Sequence, residues 1–264
     1  MLFRDEAGDA AIAIPQPSHA WLSGQLARAW GNAEFAAPSP HEAVCLGAEQ
    51  HDIGWHEWEA APSFNPRTGR PHAFTEVGAE THIGLWTRGV GRALAFGRYA
   101  ALLVSLHAKT IYGTYYDIAK APADEAALVR RFLAGQEEFR RGLVASLAAE
   151  PRHAAGVSPQ AIERNRLLVA AVDRLSLEIC WGAPGERRIP DVPEGGDRRV
   201  ELRLSAPRGD PADLVLDPLP FAADRVEVIC EGRRLRGRSA DEAAMRRALD
   251  EAERVTVAAT LRPR

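Results

Sequence analysis

Lysine is nearly missing from this chain. It occurs only at positions 109 and 120, so arginine supplies almost all of the 33 positive charges. We read that bias as coding in a GC-rich genome rather than as function. Against 36 acidic residues the formal net charge is −3, and no basic tract stands out. A nucleic-acid footprint needs clustered cations, so that class is excluded. Cysteine is scarce as well. Cys45, Cys180 and Cys230 are odd in number and far apart, with no C-x-x-C. That pattern excludes a disulfide framework or a cysteine zinc site and fits small buried hydrophobes. No apolar run approaches the roughly 18 residues of a membrane span. The opening Met-Leu-Phe-Arg-Asp-Glu lacks the apolar stretch of a signal peptide. The expected setting is the reduced cytoplasm of a bacterium. There is no glycine-rich phosphate loop, no G-x-S-x-G, no dinucleotide fingerprint and no internal repeat.

At 264 residues the chain can build one sizeable core and a small accessory unit. Residues 1–15 contain two short strand patterns, 1–4 and 11–14, closed by Pro15 and Pro17. Ser18 stands where a helix N-cap belongs, followed by apolar residues at helical spacing up to Gly31-Asn32. Further helical patterns begin near His41 and cover about 75–87, 93–112, 123–149 and 159–181. Residues 54–74 form a long irregular segment rich in Trp, Pro and Asn, of the kind that walls functional sites. Beyond 182, Gly, Pro and Asp cluster to 197, and strand patterns follow at 200–204, 214–216, 225–230 and 255–261, with a short helix at 240–252. The expected architecture is therefore mainly α. A helical domain over 16–182 carries a small antiparallel β unit at 183–264, which strands from 1–15 can join.

Two polar residues sit where apolar ones belong. Asp173 interrupts Leu-Leu-Val-Ala-Ala-Val-Asp-Arg-Leu, and a carboxylate on a buried helix face is costly unless paired or metal-bound. Its alternative is a solvated stripe with Arg166 and Arg174. His107 closes Leu-Leu-Val-Ser-Leu-His, where a satisfied core histidine is the alternative. His51-Asp52 ends an apolar helix, so both side chains can converge on something beyond its terminus. With His19 and His82, the order H…HD…H…H…D offers four imidazoles and two carboxylates. That donor set suits one or two divalent transition metals, Fe, Mn, Zn, Co or Ni rather than Mg alone. Two ions in such a site clamp an attacking water and a leaving oxygen, with Asp52 bridging.

The segments SHAWLSGQLARAWGN, EQHDIGWHEWE, LLVSLHAKTIYG and VDRLSLEICW span most of the chain and resemble the HD superfamily of helical metal-dependent phosphohydrolases. The fuller spacing resembles its binuclear branch, which includes di-iron oxygenases, and an uncharacterised bacterial HD-like family of unknown function. The resemblance implies an HD-type helical bundle with His19, His51, Asp52, His82, His107 and Asp173 as metal ligands. It also implies hydrolysis of a phosphoester or nucleotide-like small molecule by metal-activated water. Asp52 and His56 are the catalytic candidates, the latter as an acid or base near neutral pH. The chain departs from the family pattern after His-Asp-x-Gly, where Trp55 stands in place of Lys or His and His56 follows. Cationic help for a substrate then falls to Lys109, Arg88 or Arg67, with Trp55 and Trp58 available to stack. Tyr112, Tyr115 and Tyr116 line a pocket near His107 or pack as an aromatic core patch. Two alternatives stay open: a di-iron oxygenase using the same ligands, and a non-catalytic binding module. The expected partner is a small molecule, with no nucleic acid or membrane and the oligomeric state open.

Overall fold

Two strands, Leu2–Asp5 (β1) and Ala11–Ile14 (β2), form an antiparallel hairpin at the start of the computed structural model, which describes residues 1–264. All four residues of β2 are buried. Pro15 ends the strand and is itself the N-cap of the first helix, α1 (Gln16–Ala29), with Pro17 in the first turn. Proline suits that place because its missing N–H would have no intrahelical partner. Helix α2 (His41–Glu49) stops before His51, and a 3-10 turn at Ile53–Trp55 leads into α3 (His56–Ala60). A two-residue hairpin follows, β3 (Phe64–Asn65) with β4 (Arg70–Pro71). Four longer helices then build the helical layer: α4 (Ala79–Ala93), α5 (Arg98–Thr114), α6 (Ala123–Ala148) and α8 (Pro159–Cys180), with the single turn α7 (Pro151–Ala154) before the last. The Ser158 hydroxyl caps α8 by accepting the Ala161 N–H at 3.2 Å. No helix is long and apolar enough to cross a membrane.

The remaining elements are β5 (Arg187–Pro193), β6 (Arg199–Ser205), β7 (Asp213–Asp217), β8 (Val226–Leu235), α9 (Glu242–Glu251) and β9 (Glu253–Arg262). With the N-terminal hairpin they make one curled seven-stranded sheet in the order β1-β2-β8-β9-β7-β6-β5. Every pairing is antiparallel except β7 with β9.

This corrects the expected fold class. The chain is 51% helical and 20% strand, a mixed α/β fold with a large sheet, and not a mainly α HD-type bundle with a small appendage. The sheet was underestimated for identifiable reasons. Pro190 and Pro193 make 187–193 read as a loop, yet β5 is an edge strand, where a missing N–H removes no ladder bond. The strand also bulges between Ile189 and Val192, with Asp191 at φ 57°. Strands β8 and β9 each run ten residues, and their charged outward positions hid that length.

Sheet and helices share one continuous core of 48 buried residues, from Leu2 to Leu261. Helix α1 is fastened to the sheet by its polar residues as well. Strand β2 pairs with β8 only at 233–235, leaving earlier β8 backbone groups on that edge without a strand partner. Ser18 and Gln25 fill the gap. The Ser18 hydroxyl donates to the Glu231 carbonyl and accepts its N–H, both at 2.8 Å, and the Gln25 amide does the same for Ile229 at 2.8 and 3.0 Å. Ser18 is thus an edge-strand cover rather than the expected N-cap.

Candidate metal centre and its cavity

Four elements bring the central residues together. Helix α1 supplies Gln16 and His19, and the turn after α2 supplies His51 and Asp52. His107 comes from the buried face of α5, while Asp173 and Ser176 lie one turn apart on α8. The three histidines and two carboxylates are all at least 93% buried. Their proximity depends on a close backbone approach. A Cβ on Gly54 would lie 2.1 Å from the Leu85 carbonyl oxygen, and Gly89 faces it, so this pair of glycines lets the turn touch α4. Gly54 therefore acts through this contact and not by ending α2, which has already stopped at Glu49.

The hydrogen bonds determine which ring nitrogens face inward. His51 Nδ1 donates to the Ala48 carbonyl at 2.7 Å. Its Nε2 is buried without a hydrogen-bond partner, 3.3 Å from Asp173 Oδ1 and 3.6 Å from Asp52 Oδ2. Ser176 donates its single hydroxyl proton to the Asp173 backbone carbonyl at 2.8 Å. With the proton placed so, His19 Nδ1, 2.8 Å from the serine oxygen, is the donor. In that tautomer a neutral His19 turns a lone pair towards Asp52 Oδ2 at 3.0 Å; in the other tautomer its Nε2–H donates to that oxygen. With both rings neutral and His19 in the first tautomer, two imidazole lone pairs and two carboxylates converge, an arrangement that a cation relieves, whether a proton on His51 or a metal ion. The remote nitrogens are each tied to an oxygen, the usual support for metal-binding histidine. His19, His51 and Asp173 present ligand atoms within 4.8 Å of one another, so the residues fit a divalent ion.

Electrostatics point the same way. Burial pushes the His51 imidazolium down, but Asp52 and Asp173 outweigh it and raise its pKa to about 9. Asp173 is held well below the ordinary carboxylate range: burial opposes ionisation, but His107, His51 and His19 more than offset it. Asp52 is lowered too, against burial, by His51 and His19. His107 differs, because burial takes it down to about 4 and its Nδ1 finds no acceptor. Its Nε2 stands 3.5 Å from Asp173 Oδ2, so Asp173, not Asp52, spreads its two oxygens over different imidazoles.

The other expected site residues lie elsewhere. His82 reaches the neighbourhood but both of its nitrogens are engaged: Nε2 accepts the Trp86 indole N–H at 3.1 Å, and Nδ1 lies 2.9 Å from the Tyr112 hydroxyl. It presents no free lone pair to the cluster. His56 is exposed in a separate shallow pocket beside Trp21 and Arg92. Lys109 and Arg88 are exposed and line no part of the cavity, and Arg88 pairs with Glu57 at 3.5 Å. Arg67 pairs with Glu76 at 2.9 Å. Trp55 does line the cavity, packed edge-on against Trp58. Sequence reasoning missed Ser176, Gln16 and Arg174. Serine and glutamine on a helix carry no signal of their own, although Ser176 lies at i+3 from Asp173 and so shares its face.

A family model described as "Protein of unknown function (DUF3891)" matches residues 1–237. The chain belongs to that family. No curated protein and no solved structure matches it. The DUF3891 span contains every residue of the cluster and ends just past β8, with α9 and β9 beyond it.

In this DUF3891 member His19, Asp52, His107 and Asp173 of the cluster line a cavity of about 510 Å³, with His51 directly behind them. Gln16 donates its amide N–H to Asp52 Oδ2 at 3.1 Å there. The walls are largely aromatic: Trp55, Trp86, Tyr112, Tyr115, Tyr116, Phe74 and Trp181. Tyr116 donates to Glu125 at 2.7 Å. Arg174 is the one arginine or lysine among the lining residues.

Proposed function

We propose that the chain is a metal-dependent hydrolase acting on an ester, phosphoesters included, of a small molecule with an apolar body. The observation that supports this most directly is His51 Nε2, buried without a partner and facing two buried carboxylates that line a cavity. His19, His51, Asp52 and Asp173 would hold one divalent transition ion, the histidine share favouring Fe, Mn, Zn, Co or Ni. Such an ion supplies Lewis acidity and acidifies a bound water.

The chain's own residues supply the rest. The Ala48 carbonyl fixes the tautomer of His51, and the Ser176 hydroxyl orients the His19 ring. Gln16 holds Asp52 in place. His107 Nε2, on the cavity wall beside Asp173, is placed to accept or return a proton during turnover. The aromatic walls give the reacting ester an apolar surround. A di-iron oxygenase needs a second donor set, and His82, engaged by Trp86 and Tyr112, does not complete one.

The test combines metal analysis with turnover. Protein purified without chelator should carry close to one transition-metal ion per chain. A panel of aryl and alkyl esters and phosphoesters should reveal an activity that His51→Ala and Asp173→Asn abolish along with the metal. Full activity in a metal-free preparation, or in His51→Ala, would overturn the proposal.

A further inference from the structure

Helix α8 presents two adjacent stripes to the cavity. Asp173 points into the metal cluster, and Arg174, Leu177 and Trp181 follow at i, i+3 and i+7 along the neighbouring face. Arg174 is held rather than loose. Its guanidinium lies 2.5 Å from Glu178 and 6.0 Å from the centre of the Trp181 ring. Glu178 is buried, and it is also approached by Arg187 at 3.2 Å. Two guanidinium groups therefore share one carboxylate, leaving one positive charge unmatched. Arg187 lies outside the cavity, whereas Arg174 lines it. A cation that is fixed in place, faces a cavity and is only partly neutralised suits an anionic group on the occupant.

The other lining side chains specify the rest of that molecule. Trp55, Trp86 and Tyr112 line the same cavity as the cluster, and Trp181 lies beside Arg174. Planar rigid walls favour a flat apolar body. A polyanion is disfavoured, because one arginine faces Glu125 and the two cluster carboxylates.

We infer that the cavity binds a small aromatic or heteroaromatic monoanion, its ring against the tryptophans and its anionic group on Arg174, with an uncharged reacting ester, carboxylic rather than phosphoric, at the metal cluster. This rests on the reading of the cavity as a substrate site and makes Arg174 a specificity-determining residue.

The test is calorimetric titration of the full chain, as purified, with 2-naphthoate, its neutral amide and butyrate. 2-Naphthoate should bind at least tenfold more tightly than either of the others. Arg174→Gln should reduce it to the level of the amide, and Arg174→Lys should recover part of the preference. Because an anion can also ligate a metal, the series is repeated on His51→Ala, where the preference for 2-naphthoate should persist. Equal affinities, or no binding by any probe, overturn the inference. So does a preference that survives Arg174→Gln or disappears in His51→Ala, since either result puts the anion on the metal. Metal content measured on the same samples tests the hydrolase reading separately, so the two can fail independently.

Discussion

His51 Nε2 and Asp173 Oδ1 lie 3.3 Å apart, and both residues are buried. Against burial, Asp52 and Asp173 raise the His51 pKa to about 9, which favours a proton on Nε2 when no metal is bound. A proton and a divalent ion are alternative occupants of the same place. Most of what can be measured on this protein follows from that competition.

Metal uptake should release a proton. His51 titrates near 9 in the metal-free fold, so at pH 7.5 it is protonated and must lose that proton to ligate. The sign for stability follows from the same value. The folded pKa lies above the unfolded one, so the stabilisation from His51 is full below about 6.5 and is lost as pH rises through about 9. Titrating metal into stripped protein in two buffers of different ionisation enthalpy should report about one proton released per ion at pH 7.5. The number should fall towards zero above about pH 10. Release of no protons at pH 7.5 would rule out this account of the pair.

Ligands and neighbours should separate on metal content. His51→Ala and Asp173→Asn should reduce bound metal by more than tenfold, because each removes an inward-facing donor. His82→Gln should leave metal content unchanged, because both imidazole nitrogens are already engaged by Trp86 and Tyr112. Elemental analysis of the three variants side by side checks this. Loss of metal from His82→Gln would restore a second donor set.

Ser176→Ala probes a residue that touches no ion. Without the hydroxyl, His19 Nδ1–H loses its acceptor and the ring is free to change tautomer or turn. Removing such a support typically costs about 10–100-fold in metal affinity. An unsatisfied buried donor costs about 1–3 kcal/mol in addition. Competition against a chelator should show the weakening, and Ser176→Thr, which keeps the oxygen, should recover part of it. Unchanged affinity in Ser176→Ala would mean that His19 is oriented by something else.

Some of this was legible in the residues and some was not, for physical reasons. His51-Asp52, His107 and Asp173 stood out because polar side chains in apolar helices need partners, and the fold brings all four to one place. The apolar run Ala11–Ile14 and the 3.6-residue period of α6 and α8 placed those elements to within a residue or so. His82 and His56 could not be sorted from the true cluster members, because periodicity says which face a residue takes and not which neighbour occupies its nitrogens. The sheet was misjudged where proline and charge mask a strand: β5 is tolerated as an edge, and charged outward residues hid the full length of β8 and β9.

Gly54 joins fold and site in one position. Its Cα approaches α4 so closely that a methyl group would meet the Leu85 carbonyl at 2.1 Å, and that oxygen belongs to helix backbone, which cannot swing aside as a side chain would. Gly54→Ala must therefore push apart α4 and the turn that carries His51-Asp52. Overpacking of this kind costs about 1–3 kcal/mol. For a domain of this size each kcal/mol lowers Tm by about 2–4 °C. Thermal unfolding should show that loss, and metal content should fall with it, since His51 and Asp52 move relative to Asp173. By contrast, alanine at Gly91, on the same helix α4 with open space around its Cβ position, should leave metal content unchanged and Tm equal or slightly higher. Equal behaviour of the two variants would show that the close approach at Gly54 does not hold the site together.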